Sequence, residues 1–212
     1  HKAIAIMQFK LEGQLMERHP SFEMEDRRLL HLIDYKAGTI EYEGKTLSLL
    51  DTHFPTIDPE DPYTLTPEEQ LVMERLQSAF LHCEKLQRHV KLLHHGSLYK
   101  VCNGNLLYHG CVPIEEDGTF RKVNIYGNEY SGKALYDCLE SYVRKAFLEV
   151  DPIEQEKGRD ILWYIWTAKN SPLYGKDKMT TFERYFLAEP ETHQERKNAY
   201  YRFLNDETVM NR

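Results

Sequence analysis

The stretch SLYKVCNGNLLYHGCVP, residues 97 to 113, limits the folds open to this chain more than any other. It reads as two short strands joined by a tight turn at Asn103-Gly104-Asn105, because Asn and Gly tolerate turn backbone that other residues resist. The second strand delivers His109 into a loop of small residues. Leu106, Leu107 and Tyr108 are expected to pin that loop to a buried sheet, and Gly110 has no Cβ to block approach to the imidazole. A histidine held rigidly and left partly open at a strand end meets the demands of a metal ligand. Taken alone, the pattern also fits a surface or hydrogen-bonded structural histidine.

With 212 residues, 41% of them hydrophobic, the chain can bury one sizeable core or two small ones. Its net charge of −7 argues against an extended nucleic-acid surface, which needs a basic stripe to displace phosphate counterions. Positive charge for a phosphorylated ligand must then be local or come from a metal. The four cysteines, Cys83, Cys102, Cys111 and Cys138, have no CxxC spacing and are too sparse for a disulfide framework, so reduced thiols and a cytoplasmic setting are expected. No apolar run approaches the ~20 residues of a membrane span and no signal-peptide pattern opens the chain, so neither insertion nor export is expected. His1 in place of Met suggests that the natural start lies elsewhere.

Residues 1–18 read as a helix with Ile4, Met7, Leu11 and Leu15 in one stripe and Gly13 as a weak point. A second helix is expected over residues 24–35, with Leu29, Leu30, Leu32 and Ile33 as its apolar face. Residues 39–43 and 46–50 alternate about Gly44-Lys45 as a hairpin. Thr66, Pro67 and Glu69 form a capping box with proline in its favoured place. That helix is expected to run to about Leu93, burying Leu71, Leu76, Phe80 and Leu86. Its basic end has two readings: the cations oppose the helix dipole, or Lys85 and Arg88 face a phosphate. The neighbours His94 and His95 point about 100° apart on a helix, which argues against a shared metal.

Further on, Glu115, Glu116 and Asp117 precede Gly118 as a solvated turn, and residues 121–130 suggest a hairpin about Gly127-Asn128. Residues 133–150 predict an amphipathic helix with Leu135, Leu139, Val143 and Phe147 on one side. Trp163, Tyr164 and Trp166 are expected to be buried together. GKDKMTTFERYF, from Gly175 to Phe186, is a second candidate ligand segment. Gly175 allows close approach, Lys176 and Lys178 offer ammonium groups, and Arg184 can grip a phosphate with two parallel hydrogen bonds. Thr181 followed by Glu183-Arg184 fits an ordinary helix start equally well.

YHGCVP resembles the His-Gly segment with which calcineurin-like metallophosphoesterases supply one histidine to a two-metal centre. More narrowly, AIAIMQFKLEGQ, FPTIDPEDPY, EKLQRHV, NGNLLYHGCVP, NSPLYGKDKMTTFERYF and ETHQERKN make nearly the whole chain similar to the middle section of the class III fructose-1,6-bisphosphatases. The resemblance implies a mixed α/β fold, part of a β-sandwich flanked by helices, with residues 1–212 as a central fragment of the catalytic domain. It implies hydrolysis of the 1-phosphate of fructose 1,6-bisphosphate in the complete enzyme, with Mn²⁺ ions that activate water and offset developing charge.

Under that resemblance His109 is one metal ligand. Lys176, Lys178, Arg184, Lys85 and Arg88 are the candidate contacts to a sugar bisphosphate. IWTAKNSPLYG sits where related phosphoprotein phosphatases carry a Leu-Trp-Ser-Asp-Pro loop, without that loop's Asp. Asp51-Thr52-His53 matches the superfamily's Asp-x-His opening in form only, because the Gly-Asp-x-x-Asp-Arg-Gly and Gly-Asn-His motifs that should follow are absent. The other ligands are therefore expected outside His1–Arg212, and the fragment alone should be inactive. No nucleic-acid or membrane partner is expected, while self-association as a homo-oligomer stays open. Two alternatives remain at this point: a metallophosphoesterase for another phosphomonoester, and a non-catalytic binding or regulatory module.

Overall fold

Seventeen residues from Lys2 to Arg18 form α1, the helix expected from the sequence, with a buried face wider than the stripe the spacing suggests. Met7 and Leu15 of that stripe are buried together with Ala5, Ile6, Phe9 and Met16, and Ile4 is exposed. Gly13 is not a weak point: a Cβ there would lie 2.1 Å from the Tyr63 ring, so its absence admits the ring against the helix. The computed structural model describes residues 1–211 and divides into two compact units, one of residues 1–88 and 180–194, the other of residues 89–179 and 195 onward.

In the first unit α1 packs on an antiparallel sheet of three strands, β1 (Ile33–Asp34), β2 (Thr39–Tyr42) and β3 (Lys45–Ser48), together with α6 (Thr181–Phe186). Ile40 pairs with Ile33 on one side and Leu47 on the other, which fixes the register that turns Ile40 and Tyr42 into the core. The helix expected over residues 24–35 does not form. Short 3₁₀ turns at Glu25–Arg27 and Leu30–Leu32 replace it, because Ile33 and Asp34 are drawn into the ladder, yet Leu29, Leu30 and Ile33 still reach the core.

Helix α2 (Pro67–Leu81) starts on the expected capping box, with Glu69 N donating to Thr66 Oγ1 and Thr66 N donating to Glu69 Oε2. The same carboxylate receives the fully buried Lys10 ammonium at 2.7 Å. Burial alone would raise Glu69, but the Lys10, Thr56 and Thr66 hydrogen bonds outweigh it and hold its carboxyl below the ordinary value. The long helix expected to reach Leu93 breaks at His82-Cys83, after which α3 runs from Glu84 to His94. His82 closes α2 by bonding back to Ser78 O through Nδ1 at 2.8 Å. Leu71, Leu76 and Phe80, expected inside, are exposed, and only Glu69 of α2 is buried.

The second unit is centred on a helical hairpin, α4 (Gly132–Leu148) and α5 (Pro152–Thr167), which buries Leu135, Leu139, Ile161 and Tyr164. Asp151 caps α5 by accepting from Ile153 N, with Pro152 at the first position. Gly158 lets the helices touch, since a Cβ there would lie 2.4 Å from Ala146 N. Of the aromatic group expected to be buried together, Tyr164 is buried and Trp166 is exposed.

Two two-stranded sheets, β4 (Tyr99–Cys102) with β5 (Asn105–Tyr108) and β6 (Val123–Ile125) with β7 (Asn128–Tyr130), complete the unit. The mixed α/β class is thus as expected, with no sheet wider than three strands among the described residues. Among them also, no helix is long and apolar enough to cross a membrane.

Candidate functional site

Asn103 and Gly104 close the β4–β5 hairpin with positive φ values of 51° and 77°, the backbone that lets a two-residue turn follow the twist of its strands. Leu106 and Leu107 do not pin this hairpin into a buried sheet: both are more than half exposed, because the sheet has only two strands and its faces stay open. What holds the following loop is a backbone clamp. Gly110 has φ of 81°, and a Cβ on it would lie 2.2 Å from Pro172 O and 2.8 Å from Leu173 O. Cys111 N donates to Pro172 O at 2.8 Å, and Tyr136 Oη donates to Cys111 O at 3.0 Å. The missing side chain of Gly110 therefore makes room for main chain. His109 itself stands exposed just outside this clamp.

Cys111 is fully buried, and burial pushes its thiol up to about 11, so it stays protonated near neutral pH and is no nucleophile. Among the described residues no group of three His, Cys, Asp or Glu side chains stands close enough to hold a metal ion. A two-metal centre therefore does not fit the described residues taken alone. The acidic run after it is a turn: Asp117 accepts from Thr119 N and Oγ1, Glu115 pairs with Arg121 at 3.1 Å, and Glu116 pairs with Arg202.

The other half of the clamp is the loop from Ser171 to Met179. Ser171 Oγ donates to Ile165 O and accepts from Leu173 N and Tyr174 N, which curls the chain past Pro172. Gly175 follows with φ of 66°; a Cβ there would lie 2.8 Å from Tyr201 Oη and 3.4 Å from Cys111 Sγ. Beyond it the loop pairs with the next segment as a short antiparallel bridge. Lys176 lies opposite Lys197, Asp177 N donates to Arg196 O at 2.9 Å, Arg196 N donates to Asp177 Oδ1 at 2.8 Å, and Asn198 N donates to Gly175 O at 3.0 Å. A cleft of about 440 Å³ opens beside this bridge, lined in part by Ile114, Lys169, Asn170, Lys176, Arg196 and Lys197.

The structure thus brings the His109 loop and Lys176 into one unit on segments that touch. Lys176 lines the cleft and pairs with Glu195 at 2.6 Å. Lys178 lies in the same loop but does not line the cleft; its carbonyl accepts from Tyr174 Oη at 2.9 Å. Lys85, Arg88 and Arg184 belong to the other unit. Lys85 is exposed on α3, Arg88 pairs with Glu84 one turn away at 3.4 Å, and Arg184 donates to Thr180 Oγ1 and His193 O. His94 stacks on Phe147 with centroids 5.5 Å apart, in keeping with a structural role. Sequence reasoning overlooked Arg196 and Lys197, although the basic pair stands in plain view within ETHQERKN.

A family model described as Firmicute fructose-1,6-bisphosphatase matches residues 1–212. The chain is 55% identical over 214 residues to the fructose-1,6-bisphosphatase class 3 of Clostridioides difficile (strain 630), covering 100% of this chain and 32% of that protein. It is 54% identical over 213 residues to the protein of that name from Alkaliphilus metalliredigens (strain QYMF), and 51% identical over 211 residues to that of Listeria innocua serovar 6a. In both cases 99% of this chain and 32% of the relative are covered. The chain therefore spans about a third of the length of these relatives. No solved structure matches it. With a family model matched from the first residue to the last, and half or more of the residues shared with these relatives, the chain belongs to the Firmicute fructose-1,6-bisphosphatase family.

Proposed function

We propose that residues 1–212 are the central section of a fructose-1,6-bisphosphatase catalytic domain, and that the complete enzyme hydrolyses the 1-phosphate of fructose 1,6-bisphosphate to give fructose 6-phosphate and phosphate. The observation that carries this reading is the match of the family model along the whole chain. The clamp of residues 110–111 on residues 172–175 supports it by tying the His109 loop to a cationic cleft.

In this reading the chain's own residues position rather than react. The Gly110–Cys111 clamp fixes where the His109 imidazole emerges, and Lys176, paired with Glu195, lines the cleft from a loop locked by Ser171 and Gly175. Mn²⁺ is the cofactor of the complete enzyme, with His109 as one ligand among others supplied by polypeptide outside these residues. The four free cysteines fit work in the reducing cytoplasm.

The test is Mn²⁺-dependent phosphate release from fructose 1,6-bisphosphate by the complete protein, run beside a nucleotide and a phosphoprotein, with the 212-residue chain as a second sample. Turnover of the sugar bisphosphate by the complete protein alone is expected, and His109→Ala should abolish it while the circular dichroism spectrum is unchanged. Wild-type turnover with full metal occupancy in His109→Ala would overturn the ligand assignment. Preference for another phosphomonoester would overturn the substrate, and activity of the 212-residue chain would overturn the fragment reading.

A further inference from the structure

The cleft beside the 175–178 and 196–198 bridge is more basic than the chain around it. Six of its thirteen lining residues are Lys or Arg and three are acidic, in a chain whose net charge is −7. Some of that charge is already answered: Arg121 pairs with Glu115, Lys176 with Glu195, and Arg202 with Glu116. Among the described residues, Arg196 and Lys197 are not paired with any carboxylate; Lys197 Nζ lies 5.5 Å from the centre of the Tyr201 ring. Their main chain is nevertheless fixed, by Arg196 N and O bonded to Asp177 and by Lys197 lying opposite Lys176. An exposed guanidinium and an exposed ammonium on pinned backbone, lining a cleft of about 440 Å³, offer positive charge to an anionic ligand of small size.

The cleft lies in the same unit as the His109 loop. Ile114 on its wall follows His109 along the chain by no more than about 18 Å of extended backbone, and Lys176 follows directly on the loop clamped against Gly110. That bound leaves room for a ligand with an ester at each end of a hexose to reach from the His109 side to the cleft. We propose that this cleft is the subsite for the second phosphate of the sugar bisphosphate, the one that is not hydrolysed, with Arg196 and Lys197 as its principal contacts. This rests on the fructose-1,6-bisphosphatase reading above and adds the residues that make the enzyme choose a bisphosphate over a monophosphate.

The experiment compares the complete enzyme with its Arg196→Gln/Lys197→Gln double variant, taking kcat/KM for fructose 1,6-bisphosphate and for phenyl phosphate, which has no second phosphate. The ratio of the two values should fall about 10- to 100-fold through KM for the bisphosphate, the loss of charge-assisted contacts. An unchanged ratio overturns the proposal, whether or not both activities fall. If the wild-type enzyme releases no phosphate from the bisphosphate at all, the functional reading fails first, and the cleft is judged separately. Inorganic phosphate is then titrated by calorimetry into the complete protein freed of metal with EDTA. Binding that the double variant loses keeps the cleft as a phosphate site, and binding that it retains, or none in the wild type, overturns it.

Discussion

Gly110→Ala probes the clamp that holds the His109 loop, and Gly104→Ala in the same hairpin supplies its reference. Both glycines have left-handed backbone, with φ of 81° and 77°, so alanine costs about 1–2 kcal/mol at either position on that ground alone. At Gly104 nothing lies within 4 Å of the added Cβ, and the cost stops there. At Gly110 the Cβ would sit 2.2 Å from Pro172 O and 2.8 Å from Leu173 O. Both obstacles are main chain and cannot rotate away, so the two loops must part. Overpacking of that kind adds about 1–3 kcal/mol, and loosening the bond from Cys111 N to Pro172 O adds about 1 kcal/mol.

Gly110→Ala should therefore be less stable than Gly104→Ala by about 2–4 kcal/mol. Urea denaturation followed by tryptophan emission measures this, because both tryptophans lie on α5 in the same unit as the two glycines. Coincident midpoints for the two variants would refute the clamp. In the complete enzyme, displacement of the His109 loop by about 1 Å should also cost on the order of 100-fold in turnover.

Glu69 has a folded-state pKa held below its ordinary value of 4.5, so its contribution to stability is fully present above that value and is lost as pH falls through the depressed one. Acid denaturation of Glu69→Gln should be flatter in that window than that of the wild type, and Lys10→Ala, which strands the buried carboxylate, should cost about 3–5 kcal/mol by urea denaturation at neutral pH. Gly158→Ala gains about 1 kcal/mol in helix propensity but sets a Cβ 2.4 Å from Ala146 N and 2.6 Å from Tyr142 O, so a lower melting temperature is expected and a higher one would contradict the close helix contact. Iodoacetamide at neutral pH should label the exposed Cys83 and Cys102 in the native protein and spare the buried Cys111 and Cys138, as counted by intact mass before and after denaturation.

The parts of the fold legible in the sequence are those set by local chemistry. The capping box at Thr66 and Glu69 forms as the sequence suggests, and so do α1 and α4. All three hairpins appear, but two of them turn one residue earlier than expected, at Glu43-Gly44 and Tyr126-Gly127. Glu43 and Tyr126 take φ of 49° and 50°, because the two-residue turn needs left-handed backbone at both central positions and the ladder outweighs the local cost to a non-glycine residue. Misjudged stretches are those where tertiary contacts decide. Ladder pairing unwinds the expected helix before Ile33, and α2 carries Leu71, Leu76 and Phe80 on a face its own unit does not cover. Hydrophobic spacing reports that a helix has an apolar side; it does not report what that side meets.

The same division runs through the site. The sequence singles out His109 because a turn signal and a strand precede it, and Lys176 because a glycine precedes it, both of them short-range cues. The features that give these residues a setting are long-range. Gly110 meets Pro172 and Leu173, and Gly175 meets Tyr201, contacts in which each partner is ordinary until the other is beside it. Asp177 joins Arg196 to the Lys176 loop, so the basic pair of ETHQERKN acquires a cleft only after the chain has returned from α6. A charged residue in a polar tail reads as solvated surface by default. What distinguishes Arg196 and Lys197 is that their backbone is pinned while, among the described residues, no carboxylate answers their side chains, and that pairing of a fixed backbone with unspent charge exists only in three dimensions.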